Sequence, residues 1–400
     1  MRKTITIGDL GTIITGKTPP TTNKNYYGDY AVFIKPTDIL EQCKFTYETE
    51  EMYSKLAAEK YESSLIPKGA ICVPCIGTIG TKMTMAPCDC YTNQSINSIV
   101  CNENYDNEYV YYLIKNFLPG LKAYNLGTAS GREYVSKSNF EKIELVAEQD
   151  KTIQKKIGEF LSRYDSLIEN YQKQIKLLEE AALRLYKEWF VDLHFPGHEN
   201  TKIIDGVPEG WEKKKVGEIG KVITGKTPST AKKENYGGKI PFITIPDMHT
   251  GIYPTSSQFL SDLGANSQSG KFIPVNSLMV SCIGTAGLVC ITNEECQTNQ
   301  QINSLVLNDI SQLYYLYNTF LSLKEYLNNI GSNGATMTNV NKSKFESIEI
   351  LIPPNSISNL YNKAVEPSFR SIKTFSSQIR LLTEARDRLL PKLMGGEIQV

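Results

Sequence analysis

The chain carries the same hexapeptide twice. Ile14-Thr15-Gly16-Lys17-Thr18-Pro19 returns as Ile223-Thr224-Gly225-Lys226-Thr227-Pro228, 209 positions later. In a chain of 400 residues this is a duplication on the scale of half the molecule, and it restricts the fold to two copies of one module. The correspondence runs on. Cys75-Ile76-Gly77-Thr78-Ile79-Gly80 answers Cys282-Ile283-Gly284-Thr285-Ala286-Gly287. Asn93-Gln94-Ser95-Ile96-Asn97-Ser98 answers Asn299-Gln300-Gln301-Ile302-Asn303-Ser304, and Lys137-Ser138-Asn139-Phe140 answers Lys342-Ser343-Lys344-Phe345. The spacing drifts from 209 to 205, as small loop insertions and deletions would produce.

Within each copy the signals are mixed. Ala70–Val73 and Ser277–Val280 read as buried strands, Gly-Thr-x-Gly steps as tight turns, and 107–117 and 310–321 as helices. Each copy is therefore an α+β globule, and each is followed by a different kind of segment. Ile157, Phe160, Tyr164, Leu167, Tyr171, Leu178, Ala181 and Leu185 fall on alternating steps of four and three. So do Tyr361, Val365, Ile372, Phe375, Ile379, Leu382, Leu389 and Leu393, with Ser368 and Arg386 as polar breaks. That period is a coiled-coil seam. Gln174-Ile175-Lys176-Leu177-Leu178 answers Gln378-Ile379-Arg380-Leu381-Leu382, so the helices repeat as well. Two matching helices separated by a compact module pack most simply antiparallel. The expected fold is α+β: two pseudo-symmetric α/β globules (1–147 and 196–352) separated by two long antiparallel coiled-coil helices (148–195 and 353–400). Within those segments, helices of about 38 residues would each be about 57 Å long at 1.5 Å per residue. The other arrangement open to the sequence has each helix completing a local bundle with its own globule.

Each hexapeptide closes a formal phosphate-loop pattern, Gly11 to Thr18 and Gly220 to Thr227. The physical context argues against it. A phosphate cradle curls on small residues, whereas Ile13-Ile14-Thr15 and Val222-Ile223-Thr224 are stiff and β-branched. Prolines follow the threonine at once, and the next residues have no helical period. A strand leading into a polar, lysine-bearing loop is the better reading. Cys72, Cys75, Cys88 and Cys90 have a spacing that zinc could use, but Met279 replaces Cys72 in the second copy, so the cysteines read as reduced core thiols. The three histidines form no catalytic pattern, and no methyltransferase, helicase or nuclease motif is visible. Lys+Arg and Asp+Glu balance at 43 each, so no global field draws the chain to nucleic acid. No apolar run reaches the roughly 18 residues of a membrane helix, and the N-terminus has no signal-like stretch; a cytoplasmic location is expected.

Gly206-Val207-Pro208-Glu209-Gly210-Trp211-Glu212, Lys187-Glu188-Trp189-Phe190-Val191-Asp192, Glu148-Gln149, and Leu389-Leu390-Pro391-Lys392-Leu393-Met394-Gly395-Gly396-Glu397-Ile398 together resemble the specificity (S) subunit of type I restriction-modification systems. The likeness spans the chain, although the second helix lacks the Glu-Gln pair. It implies two target-recognition domains, each reading half of a bipartite site in double-stranded DNA. It also implies helices that set the spacer and dock two methyltransferase (M) subunits. This chain would then be a non-enzyme needing no cofactor of its own. S-adenosylmethionine would belong to the M subunits, and ATP with Mg to restriction (R) subunits. A specificity chain from a system with fused cleavage and methylation is the near alternative; a tandem phosphate-loop NTPase and a pure scaffold are more distant ones.

Base readout needs directional hydrogen bonds, while lysine on phosphate sets register. Polar residues shared by both copies are therefore expected at scaffold or phosphate: Lys17 and Lys226, Thr18 and Thr227, Lys137 and Lys342. Polar loop residues that differ are the candidate readers: Lys24, Asn25, Tyr26, Ser130, Arg132 and Tyr134 in the first copy, and Lys232, Lys233, Asn333, Thr336 and Asn339 in the second. Gln94 and Gln300, in matching segments, read equally well as structural. No metal ligand is expected.

Overall fold

The structure is a computed structural model that describes residues 2–41, 43–125, 127, 133–332 and 338–400. The chain divides into two compact units, Met1–Asn170 with Ile379–Val400, and Tyr171–Gln378. Each unit thus consists of a globule and a portion of both long helices.

The first unit is built on a four-stranded antiparallel sheet, in the order Gly11–Thr15, Ile96–Cys101, Ile71–Pro74, Thr84–Met85. Registers Thr15↔Asn97 and Pro74↔Ile96 place the ends of two strands and the start of the third at one edge. The second unit repeats it with Gly220–Thr224, Ile302–Leu307, Leu278–Ser281 and Val289–Ile291, in registers Thr224↔Asn303 and Ser281↔Ile302. The buried β-branched runs are the strands expected, displaced by one residue. A smaller sheet flanks each. It holds one parallel pair per unit, Phe33↔Tyr91 in the first and Phe242↔Gln297 in the second. In each globule an early strand pairs with the last one, Arg2–Thr6 with Glu144–Glu148 and Glu212–Lys215 with Glu349–Ile352.

The helix Asn107–Phe117 buries Tyr109, Tyr111 and Tyr112 against the sheet. Its counterpart starts later than its pattern suggested. Ile310–Gln312 is a 3-10 turn, and the α-helix is Leu313–Ser322, burying Tyr315, Tyr317 and Phe320. Apolar faces of this kind, at about 25 cal/mol per Å² removed from water, supply most of the cohesion.

The long helices are Lys151–Tyr186, extended by a π-helical turn Lys187–Val191, and Asn355–Gly395, which runs on through Pro367 and Pro391. Glu148 prepares the first: its carboxylate accepts from the amides of Gln149 and Asp150 (2.9 and 3.0 Å) at the helix start, where negative charge is favoured. Within each unit the helices run antiparallel. In the first, Ile157 and Leu161 share a core with Leu390, Leu393 and Met394, and Asp165 pairs with Arg386. In the second, Tyr171 stacks on Phe375 (5.0 Å between ring centres) and the Tyr361 hydroxyl donates to the Ala182 carbonyl (3.1 Å).

The seam differs in detail from the one spelled by the sequence. Leu161, Ile168 and Ala182 are buried where Phe160, Leu167 and Ala181 were expected; Leu167 is 45% exposed and Ile168 1%. Phe369, beside the expected break at Ser368, is buried. The reason is that each helix meets a globule as well as its partner helix. The buried stripe therefore widens beyond a two-helix seam, and its centre rotates by one residue.

Candidate nucleic-acid interface

At the shared strand edge of the first sheet, four loops converge. The chain leaving Thr15 donates from the Gly16 amide to the Ile96 carbonyl (3.1 Å) and from the Lys17 amide to the Thr92 carbonyl (2.9 Å). In the second unit, Gly225 donates to Ile302 (3.0 Å) and Lys226 to Thr298 (2.9 Å). The amides that a phosphate loop would aim at a nucleotide are thus engaged within the protein, and no long helix follows. The repeated glycine has another reason to be there. A Cβ at Gly16 would lie 2.1 Å from the Thr92 carbonyl oxygen, and one at Gly225 would lie 2.1 Å from that of Asn299. The hexapeptide is a strand exit pressed against a neighbouring turn.

That close approach places Thr18 against Gln94, its hydroxyl hydrogen-bonded to Oε1, and Thr227 against Gln300 in the same way (2.6 Å). Gln94 and Gln300, which the sequence left undecided, are exposed at the turn tips. Behind them Thr15 donates to Asn97 and Thr224 to Asn303, 2.7 Å in each case. Lys17 and Lys226 are exposed, and Lys17 Nζ reaches Ser63 Oγ (3.1 Å).

The Cys-Ile-Gly-Thr turn enters the same edge. Cys75 donates to the Ser95 carbonyl (2.7 Å) and accepts from Val135 (2.9 Å), and Gly77 donates to Glu133 (3.0 Å). Cys282, Gln301, Val340, Gly284 and Thr338 repeat the pattern. The result is a matched pair of bridges, Ile76 to Tyr134 and Ile283 to Asn339. Tyr134 and Asn339 therefore occupy equivalent places beside the glycine turn, with different side chains. Asn125 Oδ1 gathers the first of these loops, accepting from Gly127 (3.0 Å) and Tyr134 (2.9 Å). Ser130, Arg132, Asn333 and Thr336 lie outside the described residues.

The remaining candidates sit further along. Tyr27 OH donates to the Pro19 carbonyl (2.8 Å), Tyr53 OH to that of Lys17 (2.6 Å) and Ser54 to that of Asn25 (2.6 Å), which holds the segment from Lys17 to Tyr26. Lys24 and Asn25 are exposed in a 3-10 turn. Lys60, a residue the sequence reading passed over, lies 4.6 Å over the Tyr26 ring and donates to its hydroxyl (2.5 Å), a bond that raises the ammonium pKa. No sequence spacing signals that contact, because Lys60 comes from a separate helix. In the second unit Tyr236 repeats the Tyr27 bond (2.7 Å), while Gln268 replaces Tyr53, donating to the Lys226 carbonyl (2.8 Å). Lys232 and Lys233 are exposed there. Lys137 and Lys342 open short helices and face Glu141 and Glu346 one turn on (3.6 and 3.5 Å). Among the described residues no side-chain hydrogen bond or ion pair draws them into the loop edge.

Cys72 and Cys75 fall in different core clusters, and burial pushes both thiols up to about 12. Among the described residues no group of three His, Cys, Asp or Glu side chains is placed to hold a metal.

Two globules of one design, each ending in a polar, lysine-bearing loop edge and joined to long paired helices, define a duplicated recognition module. A sequence model described as the type I restriction modification DNA specificity domain matches residues 2–180 and 208–372, and the chain belongs to that family. It is 30% identical to the MjaIX type I specificity subunit of Methanocaldococcus jannaschii, across 98% of this chain and 93% of that one. It is 45% identical to the HindI specificity subunit of Haemophilus influenzae, over 48% of this chain and 42% of that one. Its fold resembles the crystal structure of a type I system S subunit from M. genitalium, with TM-score 0.59 at 15% identity, covering 98% and 96% of the two chains. Its role is DNA recognition within a type I restriction-modification system. Among the described residues no helix is long and apolar enough to cross a membrane.

Proposed function

We propose that each globule reads one half of a bipartite site in double-stranded DNA through the loop edge of its four-stranded sheet. The observation that carries this reading is the edge itself. It is built twice with the same backbone bonds, and it presents shared lysines beside side chains that differ. Lys17, Thr18, Lys226 and Thr227, with Lys137 and Lys342, belong on phosphate, where a contact sets register without reading sequence. Lys24, Asn25, Tyr26, Ser130, Arg132 and Tyr134 belong to readout of one half-site. Lys232, Lys233, Asn333, Thr336 and Asn339 belong to the other. The segments 1–147 and 196–352 are the target-recognition domains. The helical segments 148–195 and 353–400 set the unread spacer and receive two methyltransferase subunits. Catalysis, S-adenosylmethionine, and any ATP with Mg then belong to partner M and R subunits, in the prokaryotic cytoplasm.

Methylome sequencing of cells carrying this chain with its methyltransferase subunit tests the reading. The expected outcome is a methylated bipartite motif with a fixed gap; a continuous palindrome would overturn it. Exchanging the loop 125–136 for that of a relative should change one half-site and leave the other half and the gap intact.

A further inference from the structure

The two units differ in a buried charge cluster. In the first, Arg386 pairs with Asp165 and with Asp387 (2.8 Å to the latter), and Tyr112 OH donates to Asp165. The side chains of Arg386 and Asp165 are 3% and 5% exposed. Nearby, Lys44 is buried against Glu108 and lies 5.2 Å over the rings of Tyr111 and Tyr112. The repeat gives the counterpart of each. The 204-residue spacing of Gln174 and Gln378 carries Asp165 onto Phe369 and Ala182 onto Arg386. The 206-residue spacing of Gln94 and Gln300 carries Glu108 onto Tyr314 and Tyr112 onto Asn318. Lys44, whose carbonyl accepts from Met85, answers to Ile252, whose carbonyl accepts from Ile291. In the second unit Phe369, Ala182, Tyr314 and Ile252 form an uncharged, largely aromatic core, with Phe369 stacked on Tyr314 at 4.1 Å, and Asn318, buried beside them, donates to the Tyr361 hydroxyl (3.1 Å).

The helix pairing is otherwise close to symmetric. Tyr171 and Phe375, which stack on each other, are themselves 204 residues apart, so each is the other's repeat mate. A helix of this kind could pair with a second copy of itself. Such a pairing of two first helices would set Asp165 opposite Ala182; a pairing of two second helices would set Arg386 opposite Phe369. Either strands a charge in a buried site, which is far costlier than leaving a pair intact.

We propose that the Asp165–Arg386 pair is a pairing key: it makes each long helix accept the other helix of its own chain and reject the same helix of a second chain. The key acts by penalising the wrong partner, in the way that one buried polar residue fixes the partners of a coiled coil.

The test uses the full-length chain with Cys88→Ser, which removes the exposed thiol, and Tyr171→Cys as reporter. Only a first helix facing another first helix brings two of the thiols introduced by Tyr171→Cys together. With the key intact, mild oxidation should give little crosslinked dimer above the same protein without Tyr171→Cys. Asp165→Phe with Arg386→Ala copies the apolar arrangement of the second unit and should raise crosslinked dimer about tenfold or more, as expected when a buried-charge penalty is lifted. The near-isosteric pair Asp165→Asn with Arg386→Gln guards against misfolding of that variant and should do the same. The reversed pair Asp165→Arg with Arg386→Asp restores a key and should return crosslinking to the low level. Equal crosslinking with and without the charges, in variants whose circular dichroism and melting are cooperative, would overturn the proposal.

Discussion

Replacing Gly16 by alanine asks whether the repeated hexapeptide is a strand exit or a phosphate cradle, and the two answers differ in kind. The added methyl would sit 2.1 Å from the Thr92 carbonyl oxygen and 2.3 Å from that of Asn93, where ordinary contact begins at 3.4 Å. Both neighbours are backbone, so no side chain can swing aside, and the strand exit must retreat by about 1 Å. Retreat weakens two hydrogen bonds, Gly16 to Ile96 and Lys17 to Thr92, at about 1 kcal/mol each. Overpacking adds about 1–3 kcal/mol. Loss of glycine entropy from the unfolded chain returns about 0.4–1 kcal/mol, leaving a net cost of about 2–4 kcal/mol. In a unit of this size that lowers the melting midpoint by about 5–15 °C. Calorimetry reads the midpoint, and amide exchange at Gly16 and Lys17 reads where the structure has loosened. Gly225→Ala, with its Cβ 2.1 Å from Asn299, should do the same in the second unit and spare the first. Full protection of the Lys17 amide with an unchanged midpoint would refute the close approach. Micromolar ATP binding that Gly16→Ala or Lys17→Ala abolishes would revive the phosphate loop.

Lys17→Ala and Lys226→Ala should weaken DNA binding by the assembled complex and each lower the salt slope by about one, without changing the bases read; a changed methylation motif would move these lysines to base readout. Arg386→Ala should cost about 3–5 kcal/mol, because it leaves Asp165 buried beside Tyr112 alone; thermal melting within a few degrees of the parent would show that water reaches the site. Burial pushes the thiols of Cys72, Cys75, Cys101, Cys282, Cys290 and Cys296 up to about 12. Raised acidic groups hold their stability below the unfolded pKa of about 8.5 and lose it as pH rises toward the folded value, so denaturant midpoints should fall steadily above about pH 9. At pH 8 a thiol reagent should modify exposed Cys88 well before Cys72 or Cys282, and simultaneous reaction of all three would contradict the burial.

The duplication made most of the architecture legible, since a repeat read once fixes both copies. The antiparallel helices followed from the matching of the two seams. What the sequence could not give was the rotation of the seam by one residue at Leu161 and Ile168, which depends on the globule packed alongside. Nor could it show that Gly16 is required by a carbonyl 76 residues away, at Thr92. The shared lysines were visible from the repeat. The role of Gln94 was not, because its partner Thr18 is distant in sequence, and Lys60 meets Tyr26 only through tertiary packing. Tyr134 and Asn339 could be named as loop residues. Their equivalence beside the glycine turn needed the bridges to Ile76 and Ile283.

The antiparallel ribbons that close each globule have a consequence for its inheritance. Arg2 lies opposite Glu148, and Glu212 lies opposite Ile352, so the segment between each pair of strands starts and finishes at one place. An insert whose two ends meet can be exchanged without moving what it is inserted into. A gene conversion that replaces everything between such a pair of strands has a short ribbon of main-chain bonds to match, together with the few side chains the ribbon buries, among them Leu145, Ala147, Ile350 and Ile352. The helices, each of which supplies core to both units, have no such freedom. Change is thus channelled: what lies between the strands of a ribbon can be exchanged as a block, while the helices must evolve residue by residue.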